Sequence, residues 1–154
     1  MARYRGRVVV RKVDEFGEKI LNLKGWIKKN PGALYFDSYP EWEVWDYLTQ
    51  SNITFIYQPK LDLFSSIATK EFEKPRQTKK AKEEKRTKRE IKSITQKPIG
   101  YTPDFYLNDF DLYIEVKGFA DDVFKLRWKL FKLKGYNGYI VYSLSEFKQL
   151  YKEL

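Results

Sequence analysis

Two carboxylates and a lysine within one short segment offer the clearest chemistry in this sequence. Glu115 and Lys117 stand eleven and thirteen residues after Asp104. If residues 102–117 form a β-hairpin whose turn is 108–111, residues whose numbers sum to 219 face each other, and Asp104 lies opposite Glu115. The Cβ atoms of such a pair are about 4.5–5.5 Å apart. Two carboxylates at that separation can share one Mg²⁺, which prefers oxygen ligands.

The same register divides the hairpin into an apolar face and a polar face. The apolar face pairs Phe105 with Ile114, Pro103 with Val116 and Leu107 with Leu112. On the other face Tyr106 opposes Tyr113 and Thr102 opposes Lys117, beside the two carboxylates. Because a slip of one residue would mix the two sets, a single register gives both a core face and a metal-binding face.

The Glu-x-Lys spacing of Glu115 and Lys117 is a weak signal when it is taken alone. Most such pairs line the solvated face of an edge strand. The carboxylates and the lysine could also form a cross-strand ion cluster of small energetic value. Two adjacent carboxylates without a cation repel each other, which raises the pKa of one of them. Lys117 relieves part of that repulsion, and a divalent ion would relieve more.

A third carboxylate, Glu41, stands near the start of a helix predicted over residues 39–50. Ser38 is the expected N-cap, and Glu41 completes the spacing of a capping box. Glu41 also shares the apolar stripe of this helix, which should face the sheet. The other members of that stripe are Val44, Trp45 and Leu48. A carboxylate on such a stripe is costly unless it is paired or binds a metal. Glu41 is therefore either a metal-site residue or only the closing member of a capping box.

Basic charge is concentrated in two segments of the chain. The formal net charge is +9, and residues 74–97 alone carry eleven Lys or Arg against three Glu. The first twelve residues contain five basic side chains and no acidic one. Such asymmetry favours a polyanionic partner, and nucleic acid before membrane, although residues 70–90 also read as a solvated charged helix or loop. The candidate DNA-binding residues in these segments are Arg3, Arg5, Arg7, Lys79, Lys80, Lys82, Lys85, Arg86, Lys88 and Arg89.

The residue types that are missing narrow the chemistry further. The chain has no cysteine and no histidine, which excludes disulfides, thiolate or histidine metal sites, and Ser–His or Cys–His catalysis. Hydrolysis would have to use carboxylates, lysine and a hard cation. No apolar run is long enough to span a bilayer, and the basic N-terminus lacks the apolar stretch of a signal peptide. We therefore expect a cytoplasmic protein with no membrane partner.

The order of elements predicts an α/β sandwich around a mixed sheet, built as a single domain over residues 1–154. Strands at 7–13 and 18–27 would form a basic β-hairpin in an N-terminal extension of residues 1–30. Residues 68–97 would form a basic insertion.

Helices are expected to flank this sheet. One fits residues 121–134, and its apolar stripe is predicted from the helical spacing of Val123, Leu126, Leu130 and Leu133. A last helix would follow a short strand at 139–142.

Two segments resemble the motifs of a known enzyme family. Phe36-Asp37-Ser38-x-x-Glu41, with Leu48, Ile53, Phe55 and Tyr57, is similar to the first motif of the phage endonuclease I family of Holliday junction resolvases. Tyr101-Thr102-Pro103-Asp104-Phe105-x-Leu107, followed by Glu115-Val116-Lys117-Gly118, is similar to the second. That family belongs to the PD-(D/E)XK nucleases. The resemblance implies a restriction-endonuclease-like α/β sandwich with a central mixed β-sheet flanked by helices.

The resemblance also implies roles for individual residues. Mg²⁺, with Mn²⁺ as a substitute, would be held by Asp104, Glu115, Val116 and Glu41. The catalytic residues would be Glu41, Asp104, Glu115 and Lys117, with Lys117 positioning the attacking water or stabilising the transition state. Arg127 and Lys125, on the helix over 121–134, are further candidates for DNA contact. Because resolving a junction needs two paired cuts, the resemblance implies a homodimer.

Three functions remain open at this point. The first is a metal-dependent endonuclease that is selective for branched DNA. The second is a general or nicking endonuclease that acts on duplex DNA, since a shared active site does not fix the substrate. The third is a non-catalytic DNA-binding phage protein on a nuclease scaffold. The chain departs from the family pattern in the thirty-five residues before the first motif and the forty-three between Tyr57 and Tyr101.

Overall fold

The structure, a computed structural model, describes residues 7–14, 16–72, 91–118 and 120–154. Its strands are β1 (Val8–Val10), β2 (Leu34–Phe36), β3 (Phe55–Tyr57), β4 (Leu61–Phe64), β5 (Ile67–Phe72), β6 (Ile91–Gln96), β7 (Ile99–Tyr101), β8 (Phe105–Leu107), β9 (Leu112–Val116) and β10 (Gly138–Val141). Its helices are α1 (Leu23–Lys29), α2 (Tyr39–Gln50), α3 (Asp122–Leu133) and α4 (Leu144–Glu153). No helix in the described ranges is long and apolar enough to cross a membrane.

The chain divides into two compact units. The first unit comprises residues 1–60 and 102–154, and the second comprises residues 61–101. The second unit contains two antiparallel strand pairs, β4 with β7 and β5 with β6. The insertion predicted at residues 68–97 thus lies within a larger unit that includes its flanking strands. Residues 73–90 of that insertion, with its candidate DNA-binding lysines and arginines, fall outside the described residues.

The first unit is built on a mixed sheet, as predicted. Its strand order is β10-β9-β8-β3, with β10 parallel to β9 and the other two pairs antiparallel. The parallel pair β9 and β10 is joined through helix α3, as parallel strands require a crossover. Strands β1 and β2 form a separate parallel pair.

Helices α2 and α4 pack on one face of this sheet. Val44, Trp45 and Leu48 of α2 are buried there, and Phe147 comes from α4. The sheet contributes the apolar face of the hairpin that the sequence predicts. Its buried residues on this face are Phe105, Leu107, Leu112, Ile114 and Val116, joined by Val141 of β10. The predicted bounds of α2 and its N-cap Ser38 are confirmed.

Helix α3 covers part of the opposite face, but not through the stripe that the sequence predicts. Val123, Leu126 and Leu133 are 59%, 58% and 72% exposed. The buried positions are Phe124 and Phe131. The predicted stripe is therefore wrong because α3 carries two apolar stripes on opposite sides, and the aromatic stripe packs inward. Aromatic side chains bury more area, which decides the orientation.

The packing of α3 explains a glycine in β10. A Cβ atom on Gly138 would lie 2.7 Å from Cε1 of Phe131. The Phe131 ring is perpendicular to that of Tyr113 in β9, with centroids 5.5 Å apart. Only a residue without a side chain lets the helix approach the sheet this closely.

The prediction of an N-terminal β-hairpin is wrong for its second strand. Residues 18–27 contribute only an isolated bridge between Lys19 and Val13, and helix α1 begins at Leu23. Oδ1 of Asn22 accepts a hydrogen bond from the N–H of Gly25, which starts the helix. Strand β1 instead pairs with β2, so residues 18–27 have no strand with which to form a hairpin. Residues 1–6, with Arg3 and Arg5, fall outside the described residues.

Candidate active site

The predicted register of the hairpin is confirmed over three pairs. Phe105 pairs with Ile114, Tyr106 with Tyr113 and Leu107 with Leu112. The turn is a short 3₁₀ segment, Asn108–Phe110, and Asp111 follows it in the left-handed conformation with a φ of 46°. Because side chains alternate along a strand, Glu115 projects from the same face as Tyr113, the face partly covered by α3. We call this the carboxylate face.

Asp104 lies just beyond the end of the paired ladder and is fixed from two sides. Its Oδ2 accepts a hydrogen bond from the N–H of Val116 at 2.7 Å. Its backbone carbonyl accepts one from the N–H of Gln58 at 2.8 Å. The carboxylate therefore has a defined position at the edge of the hairpin. The predicted pairings of Pro103 and Thr102, farther along, are not part of the ladder.

Glu115 and Lys117 form a close ion pair on the carboxylate face. Glu115 is only 2% exposed, and its Oε1 lies 2.7 Å from Nζ of Lys117. Lys117 Nζ also stands 4.5 Å from the centre of the Phe124 ring, at the start of α3. A buried carboxylate needs such a counter-charge, and an aromatic face adds cation–π attraction.

The region around Asp104 carries more negative charge than Lys117 neutralises. Burial raises the pKa of Asp104 most, followed by the charges of Glu115 and Glu41, and the resulting pKa is about 8. The N–H of Val116 and the charge of Lys117 act in the opposite direction. The carboxyl group would take up a proton or a cation to relieve this excess.

Lys117 is held as an ammonium ion in this state. Burial alone would lower its pKa, but the hydrogen bond and charge of Glu115, with the charges of Asp104 and Asp121, outweigh burial, and the pKa lies above its usual value. The Lys117 side chain is 27% exposed. It can therefore still reach a ligand that approaches the carboxylate face.

Glu41 is as deeply buried as Glu115 and makes two well-defined hydrogen bonds. Its Oε2 accepts from the N–H of Asp37 at 2.8 Å, and its Oε1 accepts from the hydroxyl of Tyr57 at 2.8 Å. Burial raises the pKa of Glu41, although both hydrogen bonds lower it. Its N–H donates to Oγ of Ser38. Glu41 thus has the local role of a helix-start residue, while its charge also acts on Asp104.

Tyr57 is the residue in this network whose role the sequence did not reveal. Its hydroxyl lies 2.8 Å from Glu41 Oε1 and 2.9 Å from the backbone carbonyl oxygen of Tyr35. Burial and the nearby acids, Glu41 first, raise the pKa of this hydroxyl well above its usual range. It therefore stays protonated as a donor. The available signal was a tyrosine at the end of a predicted strand, where a partly buried hydroxyl needs a partner.

Replacing Tyr57 by Phe tests whether this hydroxyl prepares Glu41 for a metal. Loss of its hydrogen bond should raise the pKa of Glu41 further. If Glu41 helps to bind a cation, Mn²⁺ affinity should fall about tenfold, as it does when a partner of a ligating group is lost. The pH of half-maximal binding should also move upward. Titration calorimetry with Mn²⁺ between pH 6 and 9 measures both effects, with Tyr39→Phe at an exposed position as the control. Unchanged affinity would show that Tyr57 serves packing alone.

The donor chemistry around Asp104 fits a hard divalent cation. Carboxylate oxygens are the ligands that Mg²⁺ and Mn²⁺ prefer, and the excess negative charge at Asp104 favours a cation. As the side chains stand, the described residues contain no cluster of three or more acidic side chains that could hold a metal ion. Asp104 and Glu115 are thus the two candidate acidic ligands, and the charge of Glu41 acts on Asp104. Val116 has a buried apolar side chain, so it can offer a metal only its backbone carbonyl.

The described candidates for DNA contact lie on the surface and are not drawn into the site. Arg127 is exposed on α3. Lys125 forms an exposed ion pair with Asp122, with Nζ and Oδ1 3.3 Å apart. The guanidinium group of Arg7 donates to Oδ1 of Asn30. Their contact with DNA stays a prediction.

Comparison of the chain with models of protein families, with curated proteins and with solved structures found no match. The function of the chain is therefore inferred from the geometry of its own residues.

Proposed function

We propose that this protein is a metal-dependent endodeoxyribonuclease of the PD-(D/E)XK type that cuts branched DNA. The observation that carries the proposal is the buried Glu115 beside Asp104 and in contact with Lys117, all three on one short hairpin. A purely structural ion cluster has little need of a second carboxylate whose pKa is raised to about 8. A cation-dependent hydrolase does need such a pair. The mixed sheet with helices on both faces supports a restriction-endonuclease-like sandwich.

In this proposal the carboxylates bind and the lysine stabilises charge. Asp104 and Glu115 would hold the cation, with the backbone carbonyl of Val116 as a further ligand, and Glu41 would orient the site. A lower pKa of the attacking water and neutralisation of charge on the phosphate are the chemistry that Mg²⁺ would supply when bound. Because the pKa of Lys117 is raised, its ammonium group acts as a donor to a phosphate oxygen or to the attacking water, and not as a base.

Two paired cuts are needed to resolve a four-way junction, so we propose that the protein works as a homodimer. Sedimentation of the protein with junction DNA gives the stoichiometry directly. Two chains on each junction support this proposal, whereas one chain on each junction contradicts it.

Cleavage of a synthetic four-way junction and of a matched linear duplex in Mg²⁺ tests the proposed function. We expect the junction to be cut, and cutting to be lost in EDTA and in the Glu115→Gln variant. Glu43→Gln on the exposed side of α2 is the control variant. Equal cutting of both substrates would indicate a general duplex endonuclease. Tight binding without cutting in Mg²⁺ or Mn²⁺ would indicate a non-catalytic DNA-binding protein.

A further inference from the structure

A row of aromatic and apolar residues crosses the carboxylate face of the sheet beside Asp104 and Glu115. The sheet register aligns Ile56, Tyr106, Tyr113 and Gly138 on neighbouring strands. Tyr113 stands two residues before Glu115 on the same strand, so the two side chains project from one face about 6–7 Å apart. We call these four positions the tyrosine row. It lies one step along the strands from the candidate metal site.

Helix α3 covers only one half of the tyrosine row. Phe131 packs against Tyr113 and over Gly138. The other half is partly open, because Ile56 is 47% exposed and Tyr106 is only partly buried. The rings of Tyr106 and Tyr113 are 4.6 Å apart, and no other described ring packs on Tyr106. The open half is thus an aromatic and aliphatic surface held by the sheet itself.

The position of Tyr106 is fixed at its polar end as well. Its hydroxyl donates to Oδ1 of Asp111, in the turn of the hairpin, at 3.0 Å. A ring held between this hydrogen bond and the neighbouring Tyr113 ring loses little further freedom when a ligand stacks on it. The Tyr106 ring is therefore a preorganised surface on which a flat ligand can stack.

The chemistry of this surface matches a nucleobase better than a phosphate. An aromatic ring offers no hydrogen-bond donors to phosphate oxygens, but it stacks on bases with little regard to sequence. In a regular duplex the faces of the bases are covered by their neighbours. Only an unpaired or splayed base can reach a protein ring from the side.

We propose that the open half of the tyrosine row holds an unpaired nucleobase next to the phosphate that is cut. The substrate class is then DNA with unpaired nucleotides at the cleavage point, such as a flap, a bulge or an opened branch point. This inference rests on the proposed nuclease function and makes its substrate more specific. It assigns Tyr106 to substrate selection and not to the chemistry.

Binding measurements on matched DNA molecules test this assignment. The probes are a linear duplex and the same duplex with a three-nucleotide unpaired flap that contains 2-aminopurine, whose fluorescence falls when it stacks. Binding is measured on the full chain in Ca²⁺, another hard cation with oxygen ligands. The variants are Tyr106→Leu, which removes the ring, and Tyr106→Phe, which keeps it. Tyr139→Leu is the matched control, since Tyr139 is 49% exposed and pairs with Ile114 on the opposite face.

We expect the wild type to bind the flap about tenfold more tightly than the duplex and to quench the 2-aminopurine. Tyr106→Leu should lose both effects, while Tyr106→Phe and Tyr139→Leu keep them. Equal binding of both molecules by the wild type, or a preference that survives in Tyr106→Leu, would overturn the inference. So would self-association that Tyr106→Leu abolishes with the preference unchanged, because the row would then be an interface between copies.

Cleavage of the same molecules in Mg²⁺ separates this inference from the proposed function. A protein that prefers the flap through Tyr106 but cuts nothing contradicts the nuclease proposal and supports the stacking surface. A protein that cuts both molecules equally supports the nuclease and refutes the stacking surface.

Discussion

Replacing Asp104 by Asn should abolish Mg²⁺-dependent cleavage of DNA and at the same time stabilise the metal-free protein at pH 8. Asn can still accept the hydrogen bond from the N–H of Val116, so the fold keeps its local anchor. The variant loses the negative charge that binds the cation. It also loses the repulsion from Glu115 and Glu41 that raises the pKa of Asp104. Activity and stability therefore move in opposite directions, which is typical of a functional site.

The pH dependence of stability follows from the direction of this pKa change. The folded-state pKa of Asp104 is raised from 3.8 to about 8, so the folded state holds a proton that the unfolded chain releases. In EDTA the free energy of unfolding should fall as the pH rises from about 4 through 8. Asp104→Asn should remove most of this fall, a difference on the order of a few kcal/mol at pH 8.

Urea unfolding in EDTA at several pH values measures this difference, with cleavage of junction DNA followed in parallel. Asp109→Asn, at an exposed position in the turn, is the control. If Asp104→Asn retains cleavage, Asp104 is not a ligand. If the wild type gains stability between pH 4 and pH 8, the folded state does not raise the pKa of Asp104. The description of the site would then be wrong.

Replacing Lys117 by Met should lower the rate of cleavage about 10²–10³-fold, the loss seen when one donor to a transition-state charge is removed. Met keeps the aliphatic packing against Phe124 but removes the positive charge that lies 2.7 Å from the carboxylate of the buried Glu115. The metal-free protein should lose about 1–3 kcal/mol of stability, less than for a fully buried pair because Lys117 is partly exposed. Mn²⁺ should bind at least as tightly as to the wild type, since a competing positive charge is gone.

Single-turnover cleavage and Mn²⁺ titration of the same preparation separate these effects. Lys129→Met, an exposed position on α3, is the control for the loss of one positive charge near DNA. Wild-type cleavage by Lys117→Met would remove the lysine from the mechanism. Loss of Mn²⁺ binding would show that Lys117 maintains the site and does not act on the substrate.

The part of the site that the sequence predicted best is the part that depends on local pattern. The alternation of apolar and polar side chains over Phe105–Leu107 and Leu112–Val116 allows one register only, and that register is observed. The start of α2 was predictable for the same reason, since Ser38 and Glu41 stand at cap spacing. The position of Glu41 on the buried stripe also followed from helical periodicity.

The parts that the sequence did not predict depend on tertiary partners. Helix α3 has two stripes of similar apolar character, and only the space beside Tyr113 and Gly138 selects the aromatic one. Residues 18–27 lost their predicted strand because β1 pairs with β2 instead. The hydrogen bond from Tyr57 to Glu41 joins residues on separate elements, and no local pattern encodes it.

The central claim is that Asp104 and Glu115 share a divalent cation, and direct Mn²⁺ binding tests it. The electron paramagnetic resonance signal of free Mn²⁺ falls when the ion binds, so a titration gives the number of sites and their affinity. We predict a site that the wild type contains, that Asp104→Asn and Glu115→Gln each lose, and that Glu43→Gln retains. Binding that is equal in all four proteins, or absent from the wild type with and without DNA, would contradict the account.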